Sequence, residues 1–303
     1  MTVVWRSIGT ASVIAVLAAL LWVGGMPAQA VSPSTAEKLP AKQLFGAAKE
    51  PAPLATRAIG FYSKGCLAGA VALPVNGKTW QAMRLSRNRN WGHPNLVAFL
   101  ERFSAKVPQV SNWPGILVSD MAQPRGGPMP SGHASHQIGL DADIWLSPMP
   151  KREYTKTERE NVSATMIVRP DRLDVDPAVW NPSLVAVIKA AAQDSEIERV
   201  LVNAAIKKAL CRDAKGDRSW LQKVRPYWGH DYHMHVRISC PADSPDCQAQ
   251  DPVVAGDGCG EVLNWWFSEG NIHPQPPKVP PKPKPPMMLS DMPDACRQVV
   301  LAP

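Results

Sequence analysis

Along the chain the spacing of apolar residues changes several times, and each change marks an element. In HPNLVAFLERFSAKV (93–107), Leu96, Val97, Leu100 and Phe103 recur at helical intervals and predict an amphipathic helix. PSLVAVIKAAAQDS (182–195) predicts a second helix, and IERVLVNAAIKKALC (197–211) predicts a strand entering a third. PGILVSDMA (114–122) is an apolar run that leads into the Gly/Pro loop QPRGGPMPSG, the pattern of a buried strand. IGLDADIWL (138–146) and HDYHMHVRISC (230–240) alternate apolar and polar residues, so each predicts a strand with one polar face. Helices and strands in this irregular order, with no internal repeat, predict an α+β fold. Its expected form is a central antiparallel sheet flanked by helices and long loops, not a doubly wound sheet.

The two ends differ from this body. Arg6, the apolar run ASVIAVLAALLWVGG and the A-x-A motif Ala28-Gln29-Ala30 predict a secretory signal peptide over 1–30, cleaved near Ala30. The apolar run is short for a retained membrane anchor. No lipid anchor is expected either, because that requires a cysteine at the cleavage point and the first cysteine is Cys66. The mature protein is therefore expected to be exported, with no membrane span. Residues 31–58 are rich in Pro, Ala and Lys and predict a loose, extended lead-in; residues 59–272 form the globular domain. The tail, 273–303, opens with HPQPPKVPPKPKPPMM, a polyproline-type segment, and Cys296 beyond it is expected to tie the end back to the body.

Composition adds limits. The chain has 303 residues, 45% hydrophobic and 19% charged, enough apolar material for one sizeable core or two modest ones. All six cysteines (Cys66, Cys211, Cys240, Cys247, Cys259 and Cys296) follow the signal segment, and an even count in an exported chain favours three disulfides. Spacing leaves the pairing open, although Cys240 and Cys247 enclose a short turn-rich loop that suits a bridge. With no C-x-x-C pair, a zinc–cysteine site is disfavoured. The net charge of +7 is spread along the chain, and export argues against nucleic acid as a partner.

The chemistry concentrates in two segments. In SGHASHQIGLDADIW (131–145), Asp141 and Asp143 share a strand face, and Gly139 lets the chain turn so that His136 folds back toward Asp143. In HMH, His233 and His235 share a face of the other alternating strand, and a sheet can bring the two segments together. A lone histidine most often serves as a hydrogen-bonded structural residue, and a lone aspartate as a turn or surface carboxylate. Two imidazoles and one carboxylate with an open fourth position, however, make a typical catalytic zinc shell. Iron uses the same ligand types, but an exported hydrolytic setting favours zinc. No G-x-S-x-G element supports a nucleophilic serine.

GHASHQIGLDADIW and GHDYHMHVRISCPADSPDC resemble the penicillin-insensitive murein endopeptidases, part of the wider lysostaphin, D-Ala-D-Ala peptidase and hedgehog metallopeptidase group. GHPNLVAFL, NAAIKKALC, DRSWLQKVRPYWGH and GDGCGEVLNWW extend the likeness over nearly all of the mature chain. The resemblance implies His136, Asp143 and His235 as zinc ligands, His233 as catalytic base and His230 as a further active-site histidine. It associates His133 and Asp171 with a second ion. Family members can carry a histidine a few residues after that aspartate; here Asp174 stands in its place, which breaks the second-ion pattern. The implied disulfides are Cys66–Cys296, Cys211–Cys259 and Cys240–Cys247.

The implied activity is zinc-dependent hydrolysis of D-alanyl–meso-diaminopimelyl cross-links in peptidoglycan. Without a serine to acylate, β-lactams have no target. Two other readings use the same residues: a D,D-carboxypeptidase that trims uncross-linked stems, and a zinc-stabilised wall-binding module without turnover. His233 beside a ligand histidine disfavours the binder, which needs no base there. The sequence carries no signal for an oligomer.

Overall fold

The computed structural model describes residues 1–2, 33–277 and 279–303, so most of the signal segment lies outside the described residues. The described chain opens with α1 (Pro33–Ala36) and α2 (Ala41–Ala47), then β1 (Arg57–Phe61), β2 (Lys64–Ala68), β3 (Val71–Ala72), β4 (Trp80–Ala82) and β5 (Trp91–Gly92). Next come α3 (Pro94–Val110), β6 (Ile116–Val118), β7 (Asp141–Trp145), α4 (Lys156–Asn161), α5 (Pro182–Ala192), β8 (Ile197–Val202) and α6 (Ala204–Asp213). It closes with β9 (Val224–Pro226), β10 (His233–Ile238), α7 (Glu261–Asn264), α8 (Glu269–Ile272) and α9 (Ala295–Leu301). The fold is α+β. Among the described residues, no helix is long and apolar enough to cross a membrane.

A six-stranded sheet in the order β4-β6-β7-β10-β8-β9 forms the centre. Its inner pairs are antiparallel, as the alternating patterns predict, but the outer pairs β4–β6 and β8–β9 are parallel, so the sheet is mixed. The two parallel edge strands are three residues long, too short to show a period of their own. One face of the sheet is apolar: Ala142 and Ile144 of β7 and Met234 and Val236 of β10 join Leu96, Leu100 and Phe103 of α3 and Val187 and Ile188 of α5 in the main core. Each of these side chains larger than alanine, fully buried, contributes about 1.5–3 kcal/mol.

The predicted helices form where expected. The N-terminus of α3 is set by His93, whose Nδ1 accepts the Asn95 N–H at 3.2 Å, with Pro94 at the first helical position. The predicted strands are trimmed at their ends. After Val118 the chain leaves regular strand geometry, although Ser119 N–H still reaches Asp143 O (2.9 Å) and Asp143 N–H reaches Asp120 O (2.8 Å). β10 starts at His233, because His230 sits in the left-handed region at φ 60°.

The lead-in is not loose. Ala41, Leu44 and Phe45 form a buried helical stripe on α2 that packs with Ile59, Cys66, Leu289, Met292, Cys296 and Val299 in a second core. That core joins the two ends of the described chain, fixed by the disulfide Cys66–Cys296. Arg125 caps the C-terminus of α9 by donating to the carbonyls of Val299, Val300 and Ala302. Between the two anchors, residues 274–277 and 279–286 are exposed and form neither helix nor strand. Further disulfides join Cys211–Cys259 and Cys240–Cys247.

Candidate metal centre

The register of β7 against β10 builds the site. His235 lies opposite Asp143, Arg237 opposite Asp141, and His233 opposite Trp145. Because side chains alternate along a strand, these six residues project to the same side of the sheet, away from the apolar core. This polar face is nonetheless buried, roofed by the loop between β6 and β7.

That loop delivers His133 and His136. It turns at Gly139, whose φ is +73°; a Cβ there would stand 2.4 Å from Leu67 Cδ2 and 3.0 Å from the His93 nitrogen, so glycine is required on both counts. Gln137 fastens the loop to the β1–β2 hairpin, donating to Ser63 O at 2.8 Å and accepting from Gly65 N–H at 3.1 Å. His136 itself is held at φ 68°, an unfavourable backbone for a residue with a Cβ. Its N–H donates to Asp141 Oδ2 at 3.0 Å, which secures that conformation.

Around Asp143 the nitrogens converge. His136 Nε2 lies 3.4 Å and His235 Nδ1 3.2 Å from Oδ1, while His133 Nδ1 lies 3.4 Å and His233 Nε2 3.6 Å from Oδ2. His133, His136 and Asp143 offer ligand atoms within 4.8 Å of one another, a group able to hold a metal ion. Both ring nitrogens of His136, Nε2 of His235, Nδ1 of His233 and Oδ1 of Asp143 are buried without a hydrogen-bond partner. Buried polar atoms are normally satisfied, and this concentration of unpartnered ones makes the cluster a candidate metal site. Two imidazoles and a carboxylate are also a donor set that suits zinc.

The surrounding residues orient this set. Asp141 is saturated: it accepts from Arg237 Nε (2.7 Å) and Nη2 (3.0 Å), takes the His136 N–H, and lies 3.2 Å from His235 Nε2. Arg237 in turn stacks over the Tyr62 ring at 3.9 Å, and Tyr62 donates to Ile238 O. Burial opposes the charge on Asp141, but Arg237 and His235 outweigh it and hold the carboxyl far below its usual range. Burial likewise opposes protonation of His235, and Asp141 with Asp143 overcomes it, pushing the imidazole up to about 9. Asp143 is held well below the carboxylate range because its imidazole neighbours outweigh burial. His230 goes the other way: burial first, then His233 and His235, push it down to about 3.

Two of these residues escaped the sequence reading. Asp120, buried at the end of β6, accepts from His133 Nε2 at 3.0 Å and from Arg87 at 2.7 Å. Its only sequence signal was a carboxylate closing an apolar run. Arg237 continued the two-residue period of His233 and His235, and that signal was overlooked. His230 lies beside the cluster, its ring 4.7 Å from that of His233 and its Nδ1 2.8 Å from Trp228 O. A carbonyl only accepts, so Nδ1 carries the hydrogen and Nε2 is left as an acceptor.

Asp171, associated by resemblance with a second ion, is exposed and accepts from Arg169 Nε (3.2 Å) and Nη2 (2.6 Å) and from Leu173 N–H (3.0 Å); it is not in the His133, His136 and Asp143 group that could hold a metal. Asp174 is likewise engaged, by Arg212 at 3.2 Å and Lys208 at 3.4 Å.

The cluster opens on two cavities that share Gly132, His133 and Tyr232. One, of about 670 Å³, is lined by Tyr62, Arg199, Tyr227, Trp228 and His230; the other, of about 570 Å³, by Arg84, Arg87, Arg89, Asp120 and Trp145.

Residues 58–301 match the family model described as penicillin-insensitive murein endopeptidase. The protein of that name from Yersinia enterocolitica is 44% identical over 266 residues, covering 88% of this chain and 94% of the relative. Those from Haemophilus influenzae (43% over 245 residues, 81% and 82% covered) and Escherichia coli O1:K1 (44% over 238 residues, 77% and 86% covered) are similarly close. With most of its length matched in this way, the chain belongs to the penicillin-insensitive murein endopeptidase family.

Proposed function

We propose that this protein is a zinc-dependent endopeptidase that hydrolyses D-alanyl–meso-diaminopimelyl cross-links of peptidoglycan in the periplasm. The observation that carries the reading is the convergence of His136 Nε2 and His235 Nδ1 on Asp143 Oδ1, with His133 and His233 on Oδ2, in a buried cluster where the His136 nitrogens and Asp143 Oδ1 make no hydrogen bond. His136, Asp143 and His235 would hold the ion, with His133 at its edge. Bound zinc supplies Lewis acidity, which acidifies water and polarises a carbonyl.

The chain's own residues do the rest. Asp141 keeps His235 oriented and pins the His136 backbone, so the ligands are fixed before any ion arrives. His233 stands on the same strand face as His235, 3.6 Å from Asp143, and takes the role of general base; it accepts the proton of the attacking water and passes it to the leaving amine. His230, packed on the His233 ring with a fixed tautomer, offers a neutral hydrogen-bond acceptor at the cleft. No step needs a serine, in keeping with insensitivity to β-lactams. Disulfides among all six cysteines support an oxidising compartment.

Two cavities meeting at the cluster, rather than one, favour an endopeptidase over a carboxypeptidase, which needs room for a long chain in one direction only. The arginine-lined cavity suits stem peptides, which carry carboxylates. Purified muropeptide dimers and pentapeptide monomers decide between the two. Dimers are expected to split while monomers keep their terminal D-alanine; release of D-alanine from monomers with dimers intact would reverse the assignment.

A further inference from the structure

A cluster of aromatic rings, tilted 55–87° to one another, adjoins the cleft through Trp228. Trp228 lines the cleft and is 43% exposed; its ring lies 4.8 Å from Trp266 and 6.4 Å from Trp265. Trp265, 57% exposed, meets Trp266 edge-on at 5.2 Å, and Tyr227 beside Trp228 is 51% exposed. Folded proteins seldom leave a contiguous aromatic surface open to water unless something binds it. The cleft chemistry does not use these rings.

The aromatic cluster is also braced. The segment that carries Trp265 and Trp266 follows Cys259, which is bonded to Cys211, and Asp257, which is gripped by Arg218 at 2.7 Å. The buried Lys207 donates to Asp257 O at 2.5 Å. Arg172 lies over the Trp228 ring at 5.8 Å. A rigid surface of this kind binds without first having to be ordered.

We propose that Trp228, Trp265 and Trp266 form a subsite for the glycan strand of peptidoglycan, a site distinct from the metal centre. This rests on the murein-peptidase reading of the cleft. The stem peptides are short, with small or charged side chains, and offer little flat apolar surface. The sugars do: each pyranose ring presents apolar C–H faces that stack on an electron-rich indole, while its hydroxyl and acetamido edges stay wet. The stems branch from the strand, so a cleft gripping the peptide bridge necessarily lies close to sugar. Continuity of the aromatic cluster with the cleft through Trp228 meets that requirement.

The test uses the full-length mature protein loaded with zinc. Calorimetric titration with an N-acetylglucosamine hexamer, which contains no peptide bond to cut, is expected to show saturable binding. Trp265→Ala is expected to weaken it about tenfold and Trp265→Tyr to restore most of it. The ratio of turnover on intact sacculi to turnover on a sugar-free cross-linked peptide dimer falls by a similar factor in Trp265→Ala. Hexamer binding by a protein that cleaves neither substrate would sink the peptidase reading and leave the sugar site standing. No hexamer binding, an unchanged ratio, or binding instead to phosphatidylethanolamine–phosphatidylglycerol vesicles would overturn the sugar site.

Discussion

Residues 133–143 and residues 169–176 both offer metal-ligand side chains around a turn, and the fold treats them in opposite ways. In 169–176 each carboxylate has donors at hand: Asp171 takes Arg169 and Leu173 N–H, Asp174 takes Arg212 and Val175 N–H, and Asp176 takes Ala178 N–H. In 133–143 the nitrogens of His136 and Oδ1 of Asp143 are buried and left without partners. Residue type is therefore a poor guide to a metal site. The candidate site stands apart because its ligand atoms are buried without a hydrogen-bond partner and converge on one carboxylate.

Substitutions ranked by effect can break or sharpen this contrast. His136→Ala is expected to abolish both metal retention and cleavage of muropeptide dimers, assayed by elemental analysis and chromatography. His233→Ala keeps its zinc but turns over roughly 10²–10⁴-fold more slowly. Wild-type turnover in that variant would remove His233 from the role of base. Asp141→Asn weakens zinc affinity by about 10–100-fold, read by competition with a chelating dye, because His235 loses its orienting charge and Arg237 its partner. At the small end, Asp171→Asn leaves zinc stoichiometry at the wild-type value and shifts unfolding stability by less than about 0.5 kcal/mol in a denaturant titration. A loss of metal there would mean that 169–176 does reach the site.

The sequence was most informative where a local period determines geometry. The alternation in IGLDADIWL and HDYHMHVRISC placed Asp143 and His235 on strand faces, and the ladder makes them direct neighbours. Elsewhere the partner was too distant to read. α2 has a clear stripe in Ala41, Leu44 and Phe45, but the flanking prolines and lysines obscure it, and the surface it covers comes largely from residues 289–299. Asp120 becomes part of the site only because Arg87, from the segment between β4 and β5, and His133, farther along Asp120's own loop, converge on it. The disulfide pairing came from family resemblance, since spacing left it open.

Isolated sacculi incubated with the mature protein, with and without a chelator, test the central claim most directly. The account predicts that cross-linked dimers disappear, that each cut frees a D-alanine carboxyl and a diaminopimelate amine, and that chelation stops the reaction until zinc is restored. Cleavage that persists in protein shown to be metal-free would contradict it.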